Sequence, residues 1–222
     1  RPVLRGWDLR ASAWLDRYDA TDFGKDEGTE LTQADLRASW RGESGDGAMF
    51  GIRQWRYPSL LRQQAGLFGG EDLFEGETTR IDLRYWTQLD EDLRLTVRAD
   101  RWESEDRDGT GGELRADWQG VIGGPAGRTS LAAYRRTGSF VELTGVRANQ
   151  SWNSDWGSWR LSWDSAEYAP RDAGDDALIQ HEARLNIDWW MDSGWSASVD
   201  FGYRFGDEQD SPSFGFYLQR SF

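Results

Sequence analysis

The sequence predicts an all-β chain, an antiparallel up-and-down barrel of about twelve strands that crosses a membrane. Three observations predict it. Apolar residues alternate with small or charged ones, connections alternate between long and short, and large aromatics collect near strand ends of a polar chain. The chain has 222 residues, a net charge of −13, a mean hydropathy of −0.78 and 14 tryptophans. No window approaches the ~20 consecutive apolar residues of a spanning helix, so a helical membrane protein is excluded. Disorder fits the charge and the 26 glycines, but not 14% aromatic residues.

The alternation is plainest where Trp195, Ala197, Val199, Phe201, Tyr203 and Phe205 are separated by Ser196, Ser198, Asp200, Gly202 and Arg204. Ile81, Leu83, Tyr85, Thr87 and Leu89 repeat it, as do Leu93, Leu95, Val97 and Ala99. Successive side chains on a strand face opposite ways, so each segment carries one apolar and one polar face. Strands are expected at 4–18, 31–42, 47–57, 79–90, 92–102, 113–122, 127–136, 140–152, 157–166, 177–190, 194–206 and 212–222. The third and eighth keep a poor register, and a bulge is expected in each.

The odd-numbered connections read as the longer set: Asp19–Glu30, Pro58–Thr78, Glu103–Gly112 and Glu167–Asp176, with a modest exception at Thr137-Gly138 and an intermediate Gly206–Ser211. The even-numbered ones, such as Asp90–Asp92 and Asn153–Gly157, are short. Loops on one side and turns on the other describe a meander, and an even strand count puts both termini on the turn side. A soluble barrel also alternates. Strand length favours the membrane, because segments of about 10–12 residues suit the ~9–11 of a tilted spanning strand. So do Trp7, Trp40, Trp159, Trp189 and Trp195, set near strand ends where an interfacial aromatic girdle sits. One domain spans 1–222; because the chain starts at Arg1-Pro2, a mature or trimmed product, or the C-terminal part of a longer chain, is expected.

The chain ends with Phe214, Phe216, Leu218 and Phe222 at alternate positions about Arg220. This resembles the last strand of Gram-negative outer-membrane β-barrels, which implies periplasmic termini, an outer-membrane location and recognition by the barrel assembly machinery. Arg220 departs from that pattern, which has an aromatic there. Lipid and lipopolysaccharide are then the expected surroundings.

With the apolar register outward, the inward positions include Arg10, Arg37, Arg53, Arg80, Arg84, Arg94, Arg98, Arg115, Arg128, Arg160, Arg184 and Arg204. Asp8, Asp16, Asp35, Asp82, Asp100, Asp117, Asp164, Glu182, Asp188 and Asp200 share that wall. Of these, Arg10, Arg37, Arg53, Arg84, Arg98, Arg115, Arg160, Arg184, Arg204, Asp82, Asp117 and Asp188 are the expected pore lining. Arginine forks match carboxylates and phosphates, so the wall suits anionic solutes. In length, strand count and arginine-rich wall the chain is similar to small monomeric twelve-stranded porins for acidic oligosaccharides such as oligogalacturonates and sialic acid. The resemblance implies a passive channel. The same side chains can instead pair across a narrow barrel and fill it, since twelve strands lie between filled and open barrels.

Two other readings stand beside the channel: the membrane barrel of an export system, and a structural barrel within a multi-subunit envelope complex with protein partners. Much of the surplus acid falls in loops, as in Glu103, Glu105, Asp106 and Asp108 or Asp172, Asp175 and Asp176. These read as solvated surface or as cation bridges to lipopolysaccharide; no EF-hand spacing is present and no metal is assigned. Pro58–Thr78, with Leu60-Leu61 and Leu67-Phe68, reads as an outer loop with its own apolar cluster or as a constriction. The absence of cysteine excludes disulfides and thiolate chemistry. The acidic balance argues against nucleic acid. No cofactor is expected. Catalysis is not expected either: the only histidine, His181, has Ile179 and Ala183 two residues away and no serine beside it on its strand.

Overall fold

Twelve strands follow one another: β1 (Trp7–Tyr18), β2 (Gly28–Arg41), β3 (Gly47–Arg56), β4 (Glu77–Gln88), β5 (Leu93–Glu103), β6 (Asp108–Gly120), β7 (Gly124–Gly138), β8 (Val141–Ser154), β9 (Gly157–Pro170), β10 (Leu178–Met191), β11 (Trp195–Gly206) and β12 (Ser211–Arg220). This is a computed structural model; it describes residues 6–19, 28–56, 77–105, 107–171, 176–191, 194–207 and 210–220. The strands form one sheet in the order β1 to β12, each neighbour in sequence a neighbour in the sheet. Among the described residues there is no helix. The expected all-β antiparallel up-and-down meander of twelve strands is therefore present.

Two expectations are corrected. The fifth connection is not long: β6 begins at Asp108, leaving only 104–107 between the strands, where Ser104 N donates to Arg107 O at 2.7 Å. The run Asp108-Gly109-Thr110-Gly111-Gly112 hid the strand, since residues without a Cβ carry no alternation to read. The expected bulge in β8 is not there, since its pairing with β7 and β9 is continuous, as is that of β3 with β2; β1 and β2 instead shift register between Trp14 and Leu15, opposite Thr32. The expected constriction with Leu60-Leu61 and Leu67-Phe68 lies outside the described residues, as do Phe222, Asp106, Asp172 and Asp175.

Two contact units divide the chain: Arg1–Tyr85 with Ala99–Thr110, and Trp86–Arg98 with Gly111–Phe222. In the first, Arg10 stands opposite Arg37 and Asp35 opposite Arg53 on one face, while Trp7 pairs with Trp40 and Leu36 with Ile52 on the other. In the second, Arg147 faces Asp164 and Glu182 faces Arg204, while Leu185 meets Leu161 and Phe201 on the opposite face. Each unit thus has a charged and an apolar face, as period-two patterning dictates.

Neither face is covered by a second layer among the described residues. Among the described residues the buried apolar side chains are Tyr134, Ala166 and Ala197, and no large side chain is fully buried. Leu9, Leu83, Leu161, Phe201 and Phe214 stand open to the surroundings.

Candidate functional site: the charged face

The second unit braces its charged face most densely at β7–β9. Tyr134 Oη donates to Asp164 Oδ1 at 2.5 Å, and Arg147 Nε donates to Asp164 Oδ2 at 2.6 Å. The Arg147 guanidinium also lies 5.2 Å from the Tyr134 ring centroid. The tyrosine folds over Gly145, where an added Cβ would come within 2.6 Å of the ring. Sequence reading placed Asp164 on this face but missed Tyr134 and Arg147. The continuous register of β8 puts Gly145, Arg147 and Asn149 on the charged face. The signal that could have found them is the pairing of Arg147 with the already assigned Asp164.

Other predicted wall residues in this unit fall into pairs. Asp117, buried, accepts from Arg115 at 2.7 Å, and Arg128 approaches it at 3.4 Å. Glu182 holds both Arg184 and Arg204. Asp188 accepts from Ser158 Oγ at 3.2 Å, and Asp200 from Asn186 at 2.9 Å. Arg94 lies 5.2 Å from the Trp86 ring centroid, with its buried Nε unbonded. Arg98 and Arg160 have no carboxylate partner among the described residues.

In the first unit the paired arginines each meet one carboxylate. Arg10 pairs with Asp8 at 2.9 Å, Arg53 with Asp35 at 3.0 Å, and Arg80 with Asp100 at 3.0 Å. Arg37 sits directly across from Arg10, a like charge, and neither it nor Arg84 has a carboxylate partner among the described residues. Asp82 packs beside Gly51, whose missing Cβ leaves room for the carboxylate: a Cβ there would lie 2.9 Å from Asp82 Oδ1. In each unit the wall is therefore part ladder of ion pairs and part guanidinium without a carboxylate partner among the described residues, Arg37 and Arg84 in the first, Arg94, Arg98 and Arg160 in the second.

The girdle aromatics lie on the apolar face at the end with the short turns. In the first unit Trp7 stands opposite Trp40. In the second, Trp152 and Trp159 stack at 3.7 Å, Trp189 stands opposite Ala197, and Trp195 opposite Met191 and Arg220. Phe214, Phe216 and Leu218 share the apolar face with Phe201, Val199 and Ala197, and Phe214 is 73% exposed. Arg220 places its guanidinium 5.4 Å from the Trp195 ring centroid.

His181 points to the apolar face, near Phe205 at 4.9 Å between centroids, with its buried Nδ1 unbonded. Reading along one strand found no serine near it, but pairing puts Ser165 directly opposite. No hydrogen bond joins them. No group of three or more potential metal ligands exists among the described residues.

No family model matches the chain, and no curated protein or solved structure matches it.

Proposed function

We propose that the sheet closes β1 against β12 into an outer-membrane barrel with periplasmic termini, acting as a channel for small hydrophilic, anionic solutes. The observation that carries the channel reading is the set of guanidiniums without a carboxylate partner among the described residues, Arg37, Arg84, Arg98 and Arg160 with Arg94 on Trp86, on a wall whose other predicted arginines are paired. A wall built only for bracing would neutralise its cations, because a like charge directly opposite, as Arg10 is to Arg37, is unfavourable. The uncovered apolar face and its tryptophans at one end support the lipid surroundings. Lipopolysaccharide and the assembly machinery belong to this reading as partners.

Planar-bilayer recording tests it. The expected result is discrete current steps with a reversal potential favouring anions; absence of steps, or cation preference, overturns it. Closure has its own test, since the chain has no cysteine. A cysteine at Ala11 should form a disulfide with one of a series placed at 212, 214, 216 and 218. If none of them cross-links, the sheet is not closed this way.

A further inference from the structure

Passage of anions leaves one feature of the first unit unused. Trp14 on β1 and Trp55 on β3 both stand opposite Gln33 of β2, on the charged face near the longer connections. Strands lie ~4.8 Å apart, so the two indoles flank Gln33 across roughly 10 Å. Lipid does not explain them, because they are on the wrong face. Trp14 is nevertheless 53% exposed. The β1–β2 register shift falls at this residue, and Thr32 Oγ, from the bulged segment, donates to the Trp14 carbonyl at 3.3 Å. Bulges re-aim side chains, and they concentrate beside working sites.

The indoles, with Asp16, Thr32, Gln33, Arg53 and Arg56, line a cavity of about 500 Å³. Its cations are matched, Arg53 by Asp35 and Arg56 by Glu30 at 2.8 Å, and Asp16 adds one carboxylate in excess. Such a wall gives an anion no net attraction. It instead offers planar donors and acceptors, the Gln33 amide, the Asp16 carboxylate and the remaining N–H groups of Arg53, beside two aromatic surfaces. A ring with hydroxyls around its rim and C–H groups on its flat side meets both demands. We propose that this groove is a binding subsite for an uncharged oligosaccharide, with pyranose rings stacked on Trp14 and Trp55 and hydroxyls bonded to Asp16, Gln33 and Arg53. Arg37 does not line this groove but the adjoining cavity, which shares Trp14, Gln33 and Arg53 with it.

Calorimetric titration of the full chain in detergent micelles with maltohexaose, cellohexaose and hexagalacturonate tests the subsite without relying on conductance. At least one neutral hexasaccharide should bind saturably, and Trp14→Ala or Trp55→Ala should each weaken it about tenfold. Trp14→Phe should retain affinity within about threefold, and Trp190→Ala, on the charged face at the opposite strand end, should leave it unchanged. Heat-modifiable electrophoretic migration checks that each variant is folded. The proposal is overturned by three results: no binding of either neutral sugar, binding indifferent to both alanine variants, or binding of hexagalacturonate alone. A barrel that conducts but fails this titration loses the subsite and keeps the channel.

Discussion

The charged face does different things at β7–β9 and at β1–β3. At β7–β9 one carboxylate, Asp164, takes both a tyrosine hydroxyl and a guanidinium, and the tyrosine is buried over a glycine. At β1–β3 Asp8, Asp35 and Glu30 each take a single arginine, Arg37 has no carboxylate partner among the described residues, and an indole stands half in solvent. The first region has a shared hub at Asp164, although Arg160 on β9 has no carboxylate partner among the described residues, and the second has no such hub. Identical strand geometry and nearly identical residue types thus give a brace in one place and a surface with unused bonding capacity in the other. The difference lies in what stands opposite each arginine, an acid for Arg147 and another arginine for Arg37.

The largest way to break this contrast is to overfill the brace. A side chain at Gly145 meets Tyr134 Cζ at 2.6 Å and the Ser165 carbonyl oxygen at 2.7 Å, and the carbonyl belongs to the sheet and cannot rotate away. Gly145→Val should cost about 2–4 kcal/mol in urea unfolding from lipid vesicles. Gly28→Ala, with nothing within 4 Å, should change stability by less than about 1 kcal/mol. Equal effects would show that the tyrosine–glycine contact is not what separates the two regions.

Removing the acids comes next. Asp164→Ala leaves a buried tyrosine hydroxyl and a guanidinium without their acceptor, a loss of about 2 kcal/mol. Asp35→Ala releases only Arg53, whose side chain is 50% exposed, and should cost at most about 1 kcal/mol. The functional order should be inverted. Freeing Arg53 adds an unpaired cation to the open region, so Asp35→Ala should raise anion preference in reversal-potential measurements, while Arg37→Glu should lower it several-fold. If both leave selectivity unchanged, the open arginines do not govern permeation.

How much of this was legible in the sequence follows from what carries a period. Strands with a full set of side chains, such as β5 and β11, stand within a residue or two of where alternation put them. β6 started five residues early because Gly109, Gly111 and Gly112 have nothing to alternate. The faces of the predicted arginines were legible, since parity alone sets them. Their partners were not, because cross-strand neighbours depend on register: Arg37 against Arg10, or Ser165 against His181, appears only when two strands are laid side by side. Trp14 and Trp55 escaped as a group for the same reason. They are 41 positions apart in sequence and are joined only through Gln33.

The smallest expected effect concerns the residue that departs from the outer-membrane terminal pattern. An aromatic at position 220 would stack on its cross-strand neighbour, and Arg220 instead sets its guanidinium 5.4 Å from the ring of that neighbour, Trp195. A cation over an indole replaces one aromatic contact by another of similar size, worth about 0.5–1 kcal/mol where exposed. Arg220→Ala should therefore lower stability by about 0.5 kcal/mol, and Arg220→Tyr should restore it. The informative number is the coupling in a double-mutant cycle with Trp195→Ala, since Arg220 has other contacts as well. A coupling indistinguishable from zero would mean that the arginine is tolerated at this position for reasons other than Trp195, and that the last strand needs no aromatic contact there at all.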